Sequence, residues 1–419
     1  MPPMIGYYAH HVGSGHLHRA AAVAAHVGPR MTLLSSAEPQ VSINQLRLAR
    51  DDDPPAHGDV TASKSLHWAP LGHTGLRERA NQIVRWAEEN HCSAMVSDVS
   101  VEVLLLARLL SIPPVALALR GRRLDRAHAL GYDASCAIIA PWPRLTHGTW
   151  PARWLAKTVW VGPVSRFDGR ARVTGRCGRP GRCVVLMVGR GGDSLTEAAL
   201  REAAAVPDTH WHLLGRTAVP TTGRRVARQQ IRTATDDDDL GDDGSDRDGP
   251  DDDGSDRAGP GDDGSDHAGP DDDGSDHAGN VERPGWVADP WPLLCRADVV
   301  VAAPGDAAIA DVAAAGRPLI AVPQQRPFGE QQAQAAALSR HWLCMSVPTW
   351  PDRASWPRLL DRAEHLGGAG WSAYSDGHGS ARMAAALLEI ADRGRGWQAG
   401  APDVRGRIQD RAFPRLAVG

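Results

Sequence analysis

A chain of 419 residues, 42% of them hydrophobic, is too long for one core, so the sequence favours two domains. Its net charge of −4 hides a division, because residues 236–280 hold nineteen Asp and two Arg and leave the rest at +13. This basic remainder suits anionic small-molecule ligands such as phosphates, and we predict no nucleic-acid partner.

The N-terminus and the cysteines point to a cytoplasmic protein. No basic stretch followed by an apolar stretch opens the chain. Arg108 and the pair at 113–114 interrupt the best candidate for an 18-residue apolar span. The six cysteines form no CxxC pair and no metal-ligand spacing, so we expect buried free thiols, no bound metal and no cofactor.

The first predicted elements are a strand over residues 4–9, a glycine-rich turn and an Ala-rich helix over 17–26. The turn contains Gly13, Ser14, Gly15 and His16. Glycines allow a ligand to approach the backbone closely, and the helix N-terminus offers unpaired N–H groups. His18 replaces the third glycine of GxGxxG, which disfavours a dinucleotide site and leaves an ordinary strand–helix turn as the alternative.

Further strands and helices alternate as far as residue 162. We predict strands at 31–34, 94–96, 115–119, 137–139 and 159–161, and helices at 76–90 and 101–110. Such alternation predicts a parallel α/β domain over residues 1–162. Asp98 ends one strand, as a candidate site residue or the N-cap of the next helix.

A basic loop follows the strand at 115–119. It contains Arg120, Arg122 and Arg123, which could hold a phosphate of a second substrate. A solvated surface is the alternative interpretation of such a charge run.

The pattern restarts after a linker at 163–180, which is rich in Gly, Arg and Pro. A buried strand at 183–188 precedes a second glycine-rich turn, and a helix at 195–205 follows. The turn contains Gly189, Gly191, Gly192 and Ser194. We place a second domain at 181–378, so that both halves open with strand, glycine turn and helix.

Four ten-residue repeats interrupt the second domain at residues 241–280. They hold no Val, Ile, Leu or aromatic residue. Such a segment buries too little apolar surface to offset chain entropy, so we predict a disordered acidic insertion over 236–280. A calcium β-roll is the alternative, but the period of ten and the closing Pro or Asn disfavour it.

Residues 297–332 read as strand, turn, helix, strand and loop. A Val run at 299–301 ends at Gly305, and Asp306 can cap the Ala-rich helix at 307–315. A second buried strand covers 319–322. Anionic ligands bind at such helix N-termini, beside the carboxyl ends of the strands. A last helix at 379–393 is expected to pack back on the first domain, and 394–419 form a tail.

Three segments resemble MurG-type glycosyltransferases of the GT-B fold, and more closely their actinobacterial relatives. They are the turn at 13–16, the turn at 189–194 and the stretch 297–332, with its Ala-Ala-Gly-Arg-Pro exit and Pro-Phe-x-Glu-Gln run. The resemblance implies two Rossmann-like, doubly wound parallel sheets that face a cleft. It also implies inverting, metal-independent transfer from a nucleotide-diphosphate sugar, with a UDP-sugar favoured.

The resemblance also assigns roles to residues. His16 is the candidate general base, and Asp98 is its partner or an alternative base. The acceptor lies on the first domain, near Gly13, Ser14, Gly15 and the basic loop. The donor lies on the second domain, near two glycine turns and the following residues: Gly189, Gly191, Gly192, Ser194, Trp286, Val287, Gly305, Asp306, Ala307, Asp311, Glu330, Gln331 and Gln332.

One departure from the pattern keeps two alternatives open. Asp306 is expected beside the diphosphate, where like charges repel. A nucleotide-sugar epimerase on the same scaffold, or a non-catalytic nucleotide-sugar-binding relative, would also carry these motifs.

A contact with the inner face of the membrane is a further expectation, through a tryptophan-rich patch for a lipid-linked acceptor. The patch would contain Trp142, Trp150, Trp154 and Trp160, with nearby Arg144, Arg153 and Lys157. Packing in the core and at the domain interface is the alternative interpretation of these tryptophans.

Overall fold

Two parallel β-sheets, each covered by helices, make up the computed structural model. The model describes residues 2–11, 13–38, 43–144, 150–189, 195–215, 280–285 and 287–394. The predicted α/β fold class with two doubly wound sheets is confirmed. Gly191, Gly192, Ser194, Trp286, almost all of the predicted insertion and the tail from 395 onwards lie outside the described residues.

The first sheet has seven strands in the order β3-β2-β1-β4-β5-β6-β7, all parallel. Its central strands are buried on both faces, which explains their continuous apolar runs. The strands are β1 Met4–Ala9, β2 Met31–Ser35, β3 Gln45–Arg47, β4 Cys92–Asp98, β5 Pro114–Leu117, β6 Ala137–Ala140 and β7 Thr158–Trp160.

Side-chain caps begin most helices of the first half. Ser100 accepts a hydrogen bond from the Val103 amide, and Asp125 accepts one from the His128 amide. Asp125 therefore starts a helix inside the stretch that the sequence predicted as a basic loop. The helices are α1 Ser14–Val27, α2 Thr74–Glu89, α3 Val101–Leu109, α4 Arg126–Ala134 and α5 Ala152–Leu155.

The second sheet has six parallel strands in the order β10-β9-β8-β11-β12-β13. They are β8 Arg182–Met187, β9 Thr209–Leu214, β10 Val281–Gly285, β11 Val299–Ala302, β12 Leu319–Ala321 and β13 Met345–Ser346. The helices are α6 Glu197–Ala204, α7 Trp291–Arg296, α8 Asp306–Ala315, α9 Glu330–Arg340, α10 Trp356–Leu366, α11 Trp371–Tyr374 and α12 Gly379–Arg393.

Each sheet has a switch point where the strand order reverses direction. In the first sheet it lies between β1 and β4, and in the second between β8 and β11. Ligands of open parallel sheets bind in the crevice at this point, beside the carboxyl ends of the strands. The two sheets therefore each offer one preferred site.

The last helix, α12, packs on the first domain although it follows the second in sequence. Met383, Leu387 and Ile390 join the apolar cluster of α1 and the first sheet, with Ala20 and Val23. The chain from 161 to 181 joins the two sheets and forms no helix or strand. Through this segment the chain passes from the first domain to the second, and it returns to the first domain at α12.

The tryptophans predicted to form a membrane patch belong to the core. Trp142 and Trp154 are each 1% exposed, and Trp160 packs in the same apolar cluster. Trp150 is half-buried against them. The predicted surface patch was wrong, because these rings are buried in an apolar cluster or packed against it. None of the helices in the described part of the chain is long and apolar enough to cross a membrane.

Candidate active site

The two switch points open into one cleft between the domains, which is partly open to solvent and has a cavity volume of about 250 Å³. The first domain contributes the N-terminal turn of α1, and the second contributes the ends of β8 and β11 and the start of α8. The predicted site residues in its lining are Gly13, Ser14, Gly15, Gly189, Val287, Gly305, Ala307, Asp311 and Gln331.

A histidine–carboxylate pair, His16 and Asp98, lies in the first domain next to the lining residue Gly15, although neither member of the pair is itself among the lining residues. His16 is in the first turn of α1, and Asp98 is the last residue of β4. The register of β1 and β4 aligns Ala9 with Asp98, which brings the end of β4 under the start of α1. His16 Nδ1 lies 2.8 Å from an Asp98 carboxylate oxygen, and the His16 Nε2 atom remains for another partner.

Three side chains, those of His16, Tyr7 and Arg19, lie close to the Asp98 carboxylate. Its side chain is fully buried, and Tyr7 donates a hydrogen bond to its second oxygen at 3.1 Å. Arg19 Nε lies 3.6 Å from the same oxygen. Asp98 does not cap the next helix, since Ser100 does. A carboxylate fixed in this way orients the imidazole and determines which ring nitrogen carries the proton.

Neighbouring charges shift the pKa values of both His16 and Asp98. Burial alone lowers the pKa of His16, but the Asp98 carboxylate outweighs burial, and the pKa of His16 lies above its usual value. Burial alone raises the pKa of Asp98, but Arg19 and His16 outweigh it, and that pKa lies below its usual value. Asp98 is therefore ionised while His16 accepts and releases protons.

Asp306 points toward the first domain. It is the first residue of α8, whose N-cap is Gly305 with no side-chain capping bond, so the predicted capping role of Asp306 was wrong. Its carboxylate lies 3.7 Å from an Arg19 guanidinium nitrogen. Asp306 is not among the residues that line the cleft. Arg19 therefore offsets the negative charge that the sequence placed beside a diphosphate.

The start of α8 forms a small-residue floor on the second-domain side. Gly305, Ala307 and Ala308 line the cleft, and the N–H groups of the first helical turn have no side-chain cap. A Cβ on Gly15 would lie 3.2 Å from the Ala307 Cβ, which shows how closely α1 and α8 approach. A helix N-terminus with free N–H groups is a site for anions.

Asp311 lies at the cleft but bonds to the chain between the domains. Ser165 donates a hydrogen bond to it at 2.7 Å, and Arg166 Nε donates another at 3.0 Å. Burial raises the pKa of Asp311 to about 6, although Arg166 and Ser165 oppose the shift. A ribose contact for Asp311 stays a prediction, and a ligand there would share this carboxylate with Ser165 and Arg166.

The run at 330–332 divides between the cleft and the domain interface. Gln331 lines the cleft, and its side-chain oxygen accepts from the Gln324 amide at 2.7 Å. Gln332 is exposed and donates to the Gln324 carbonyl at 3.3 Å. Glu330 reaches the first domain and accepts a hydrogen bond from Arg123 at 2.9 Å. Contacts from Glu330 and Gln332 to a donor sugar stay predictions.

The basic loop belongs largely to the domain interface. Arg123 stacks on Phe328 and is 4% exposed, while Arg120 stacks on Trp142. The Arg122 side chain is exposed, and its amide donates to the Phe328 carbonyl at 2.8 Å. Two of the three guanidinium groups therefore join the domains, and Arg122 is the one whose side chain faces solvent.

Comparison with known proteins identifies the fold. No protein-family model and no curated protein sequence matches the chain. Three similar solved structures are a UDP-glucosyltransferase from Polygonum tinctorium, MurG from Acinetobacter baumannii, and the spinosyn rhamnosyltransferase SpnG complexed with thymidine diphosphate. Their TM-scores are 0.56, 0.51 and 0.52, and their sequence identities are 14%, 16% and 14%.

Each alignment spans nearly the whole of both chains. It covers 94%, 94% and 96% of this chain and 99%, 100% and 99% of the three structures, in the same order. The chain has the GT-B fold. The resemblance to MurG-type enzymes is thus confirmed at the level of the fold. At these identities the GT-B architecture is what the chains share, and the chemistry has to be argued from the cleft.

Several residues that contact the candidate site residues had no role in the sequence analysis. Tyr7 and Arg19 hold Asp98, and Arg166 holds Asp311. Arg19 follows His16 by three residues, a spacing that places both on one face of α1. Arg166 carried no local signal, because its position at the cleft depends on how the chain between the domains runs.

Proposed function

We propose that this protein is a glycosyltransferase that moves a sugar from a nucleotide-diphosphate sugar to an acceptor hydroxyl. The observation that carries the proposal is the placement of His16 and Asp98 at one switch point, opposite the open N-terminus of α8 at the other. The pair offers a base for the acceptor, and the helix end offers N–H groups for the diphosphate.

The reaction begins at the acceptor hydroxyl. His16 Nε2 takes its proton, and the ionised Asp98 stabilises the imidazolium that forms. The acceptor oxygen then attacks the anomeric carbon of the donor sugar. The bond from this carbon to the diphosphate oxygen breaks, and the nucleoside diphosphate leaves with that electron pair. One displacement from the opposite face inverts the configuration at the anomeric carbon.

The leaving diphosphate needs positive charge. The N-terminus of α8 supplies a partial charge of about +0.5, and Arg166 supplies a guanidinium at the same cleft. Together they support a transfer that uses no metal ion at the diphosphate. The small side chains of Ala307 and Ala308 leave room for phosphate oxygens to reach the backbone.

Donor and acceptor lie on different domains in this proposal. The nucleoside lies along the ends of β8, β9 and β11, near Val287, with a UDP-sugar favoured by the sequence resemblance. The acceptor enters beside Gly13 and Ser14 on the first domain, near the exposed Arg122. A lipid-linked acceptor stays a proposal, although the buried tryptophans no longer support it.

Isothermal titration with UDP-, GDP- and dTDP-sugars tests the donor site. We expect one nucleotide class to bind and the free nucleoside diphosphate to compete with it. If none of them binds, the glycosyltransferase proposal is wrong. Incubation of the bound sugar in D₂O tests the epimerase alternative, because an epimerase that works by proton abstraction exchanges deuterium into the sugar whereas a transferase does not.

A further inference from the structure

Two cysteines and two histidines meet in the second domain, away from the cleft. Cys177 lies in the chain before β8, Cys183 lies in β8, and His210 and His212 lie in β9. One ligand atom from each side chain lies within 4.8 Å of every other. We call this set the Cys–His cluster.

The sheet register assembles the cluster. β8 and β9 are parallel neighbours, and Cys183 is directly opposite His210. Alternation along β9 puts His210 and His212 on one face, while Trp211 packs into the core on the other. Gly181 has φ +90° and lies so close to the Asp208 carbonyl that a Cβ there would be 2.6 Å away. This tight bend carries Cys177 back over the strands.

The histidines of the cluster are buried without enough partners. His210 is 4% exposed, and its ring contacts the Pro180 backbone, which leaves one ring nitrogen without a hydrogen-bond partner among the described residues. His212 is 8% exposed, and its Nε2 has no partner either. An unsatisfied polar atom in a buried site destabilises the folded state. Two such nitrogens, one on each ring, beside two sulfurs therefore point to a ligand that accepts electron pairs.

A carboxylate fixes the second histidine. His212 Nδ1 lies 3.0 Å from a Glu282 carboxylate oxygen, and the other Glu282 oxygen lies 3.1 Å from Arg179 Nε. Donation from Nδ1–H to Glu282 leaves the lone pair on Nε2, the nitrogen that has no partner. Histidines that bind metals commonly donate their other N–H to a carboxylate in this way.

The sulfurs of Cys177 and Cys183 can form either a disulfide or two thiolates bound to a metal ion. Cys177 and Cys183 form a disulfide in this structure. The expectation of six free thiols was therefore wrong for this pair. A disulfide leaves His212 Nε2 and one ring nitrogen of His210 without partners, whereas a metal ion bound by both thiolates would satisfy both of these atoms. The histidines thus favour the metal-bound state.

We propose that the Cys–His cluster binds one Zn²⁺ ion through two thiolates and two imidazoles. Binding releases the two thiol protons and places four protein ligands around the ion in a tetrahedron, with sulfurs about 2.3 Å and nitrogens about 2.0–2.1 Å from the metal. Tetrahedral sites with two sulfur and two nitrogen ligands select zinc among the common divalent ions.

The ion has a structural role. Four protein ligands leave no open position for a substrate. The cluster also lies toward the starts of β8 and β9, whereas Met187 and Leu214 at their ends line the cleft. The ion would link the segment between the domains, through Cys177, to strands β8 and β9 of the second sheet.

Metal retention by the reduced protein is the decisive measurement. The full chain is purified without an immobilised-metal column, reduced, freed of reductant, incubated with excess ZnCl₂ and desalted. We expect about one zinc per chain by elemental analysis. In the double variant Cys177→Ser/Cys183→Ser we expect less than about a tenth of that. A reduced wild-type protein that retains no zinc, or a double variant that retains as much as the wild type, would overturn the proposal.

Matched controls separate the site from the other cysteines. The variant Cys92→Ser/Cys136→Ser removes two thiols far from the cluster and should retain one zinc. Cobalt in place of zinc should give sulfur-to-metal charge-transfer absorption in this control and none in Cys177→Ser/Cys183→Ser. The same absorption in both variants would contradict the assignment.

A thiol count identifies the state of the purified protein. Zinc-bound protein that is unfolded with chelator and no reductant should present all six cysteines as thiols, whereas a disulfide would leave four. Six thiols together with bound zinc support the proposal. If the protein has four thiols and also fails to retain zinc after reduction, the zinc proposal is wrong. Chelator should lower the Tm of the wild type by roughly 5 °C or more and leave Cys177→Ser/Cys183→Ser unchanged.

Discussion

Each domain carries the same local pattern of strand, glycine turn and helix at its switch point, and the two domains use it differently. In the first, β1 is followed by glycines and α1, and the first turn of α1 carries His16. In the second, β11 is followed by Gly305 and α8, and the first turn of α8 carries Ala307 and Ala308 on the cleft side. One helix start presents a side chain that accepts protons, and the other exposes backbone.

The difference follows from what each helix start faces. His16 is useful because β4 places a buried carboxylate beneath it. The start of α8 is useful because, among the described residues, no side chain caps its N–H groups. Asp306 looks like a defect in the second pattern, yet it turns toward Arg19 of the first domain and helps to join the halves. Four substitutions test this division of labour.

Replacing His16 should have the largest effect. His16→Ala removes the proposed base, so we expect kcat to fall about 10²- to 10⁴-fold. Donor affinity should stay within about twofold, because the donor lies on the other domain. Turnover and isothermal titration measure the two effects, and His57→Ala, at an exposed histidine, is the control. A large loss of donor affinity without loss of kcat would contradict the assignment.

Replacing Asp98 tests how the pair is held. Asp98→Asn should lower kcat on the order of 10²-fold, because the imidazolium loses its counter-charge. It should also move the pH profile. Asp98 and, more weakly, Glu330 raise the pKa of His16, whereas Arg19 lowers it.

The sign of the pH shift follows from these neighbours. The base acts when His16 is deprotonated, so the rate falls as pH drops through the raised pKa of His16. Without Asp98 that pKa falls, and the acidic limb of kcat/KM should move to lower pH. An unchanged limb, with the protein still folded by circular dichroism, would show that another group is the base.

A negative charge on the other helix start should affect binding alone. Ala308→Glu places a carboxylate at the cleft beside the N-terminus of α8. We expect the donor Kd to rise on the order of 10-fold by repulsion of the diphosphate. Ala308→Gln has nearly the same volume and no charge, so the difference between the variants isolates the electrostatic effect. Equal affinities would place the diphosphate elsewhere.

The smallest expected effect concerns the joint between the domains. Gly121 has φ +105°, and a Cβ there would lie 2.5 Å from the Phe328 carbonyl of the second domain. Gly121→Ala should cost about 1–3 kcal/mol and lower the Tm by a few degrees. Gly58→Ala is the control, since Gly58 has φ +77° and no atom within 4 Å of such a Cβ. Equal shifts would mean that the positive φ, not the domain contact, sets the cost.

Local patterns were enough to predict much of this protein. The Val run at β11, the glycine turns and the Ala-rich helices predicted two parallel α/β halves, because buried parallel strands and helix ends have clear residue preferences. The roles of His16 and Asp98 came from the resemblance to MurG-type enzymes, with His16 in the glycine turn after β1 and Asp98 at the end of β4. The helix α4 was missed, since its Asp125 cap lies within a run of arginines.

Tertiary structure decided the partners of charged and aromatic side chains. Trp142 and Trp154 became core residues, Arg123 paired with Glu330, and Asp311 paired with Arg166. Each of these outcomes depends on how the domains are placed, which no window of local sequence encodes. The facing positions of Cys183 and His210 depend likewise on strand register.

The sequence by itself determined the architecture and the two helix starts, because strand periodicity, glycine turns and apolar runs act over a few residues. Only the tertiary structure decided which groups meet. In the tertiary structure, Asp98 contacts His16 and Asp306 lies near Arg19. The four side chains of the proposed zinc site come together from three segments of the chain. Such contacts join residues far apart in sequence, and packing of complete sheets and helices determines them.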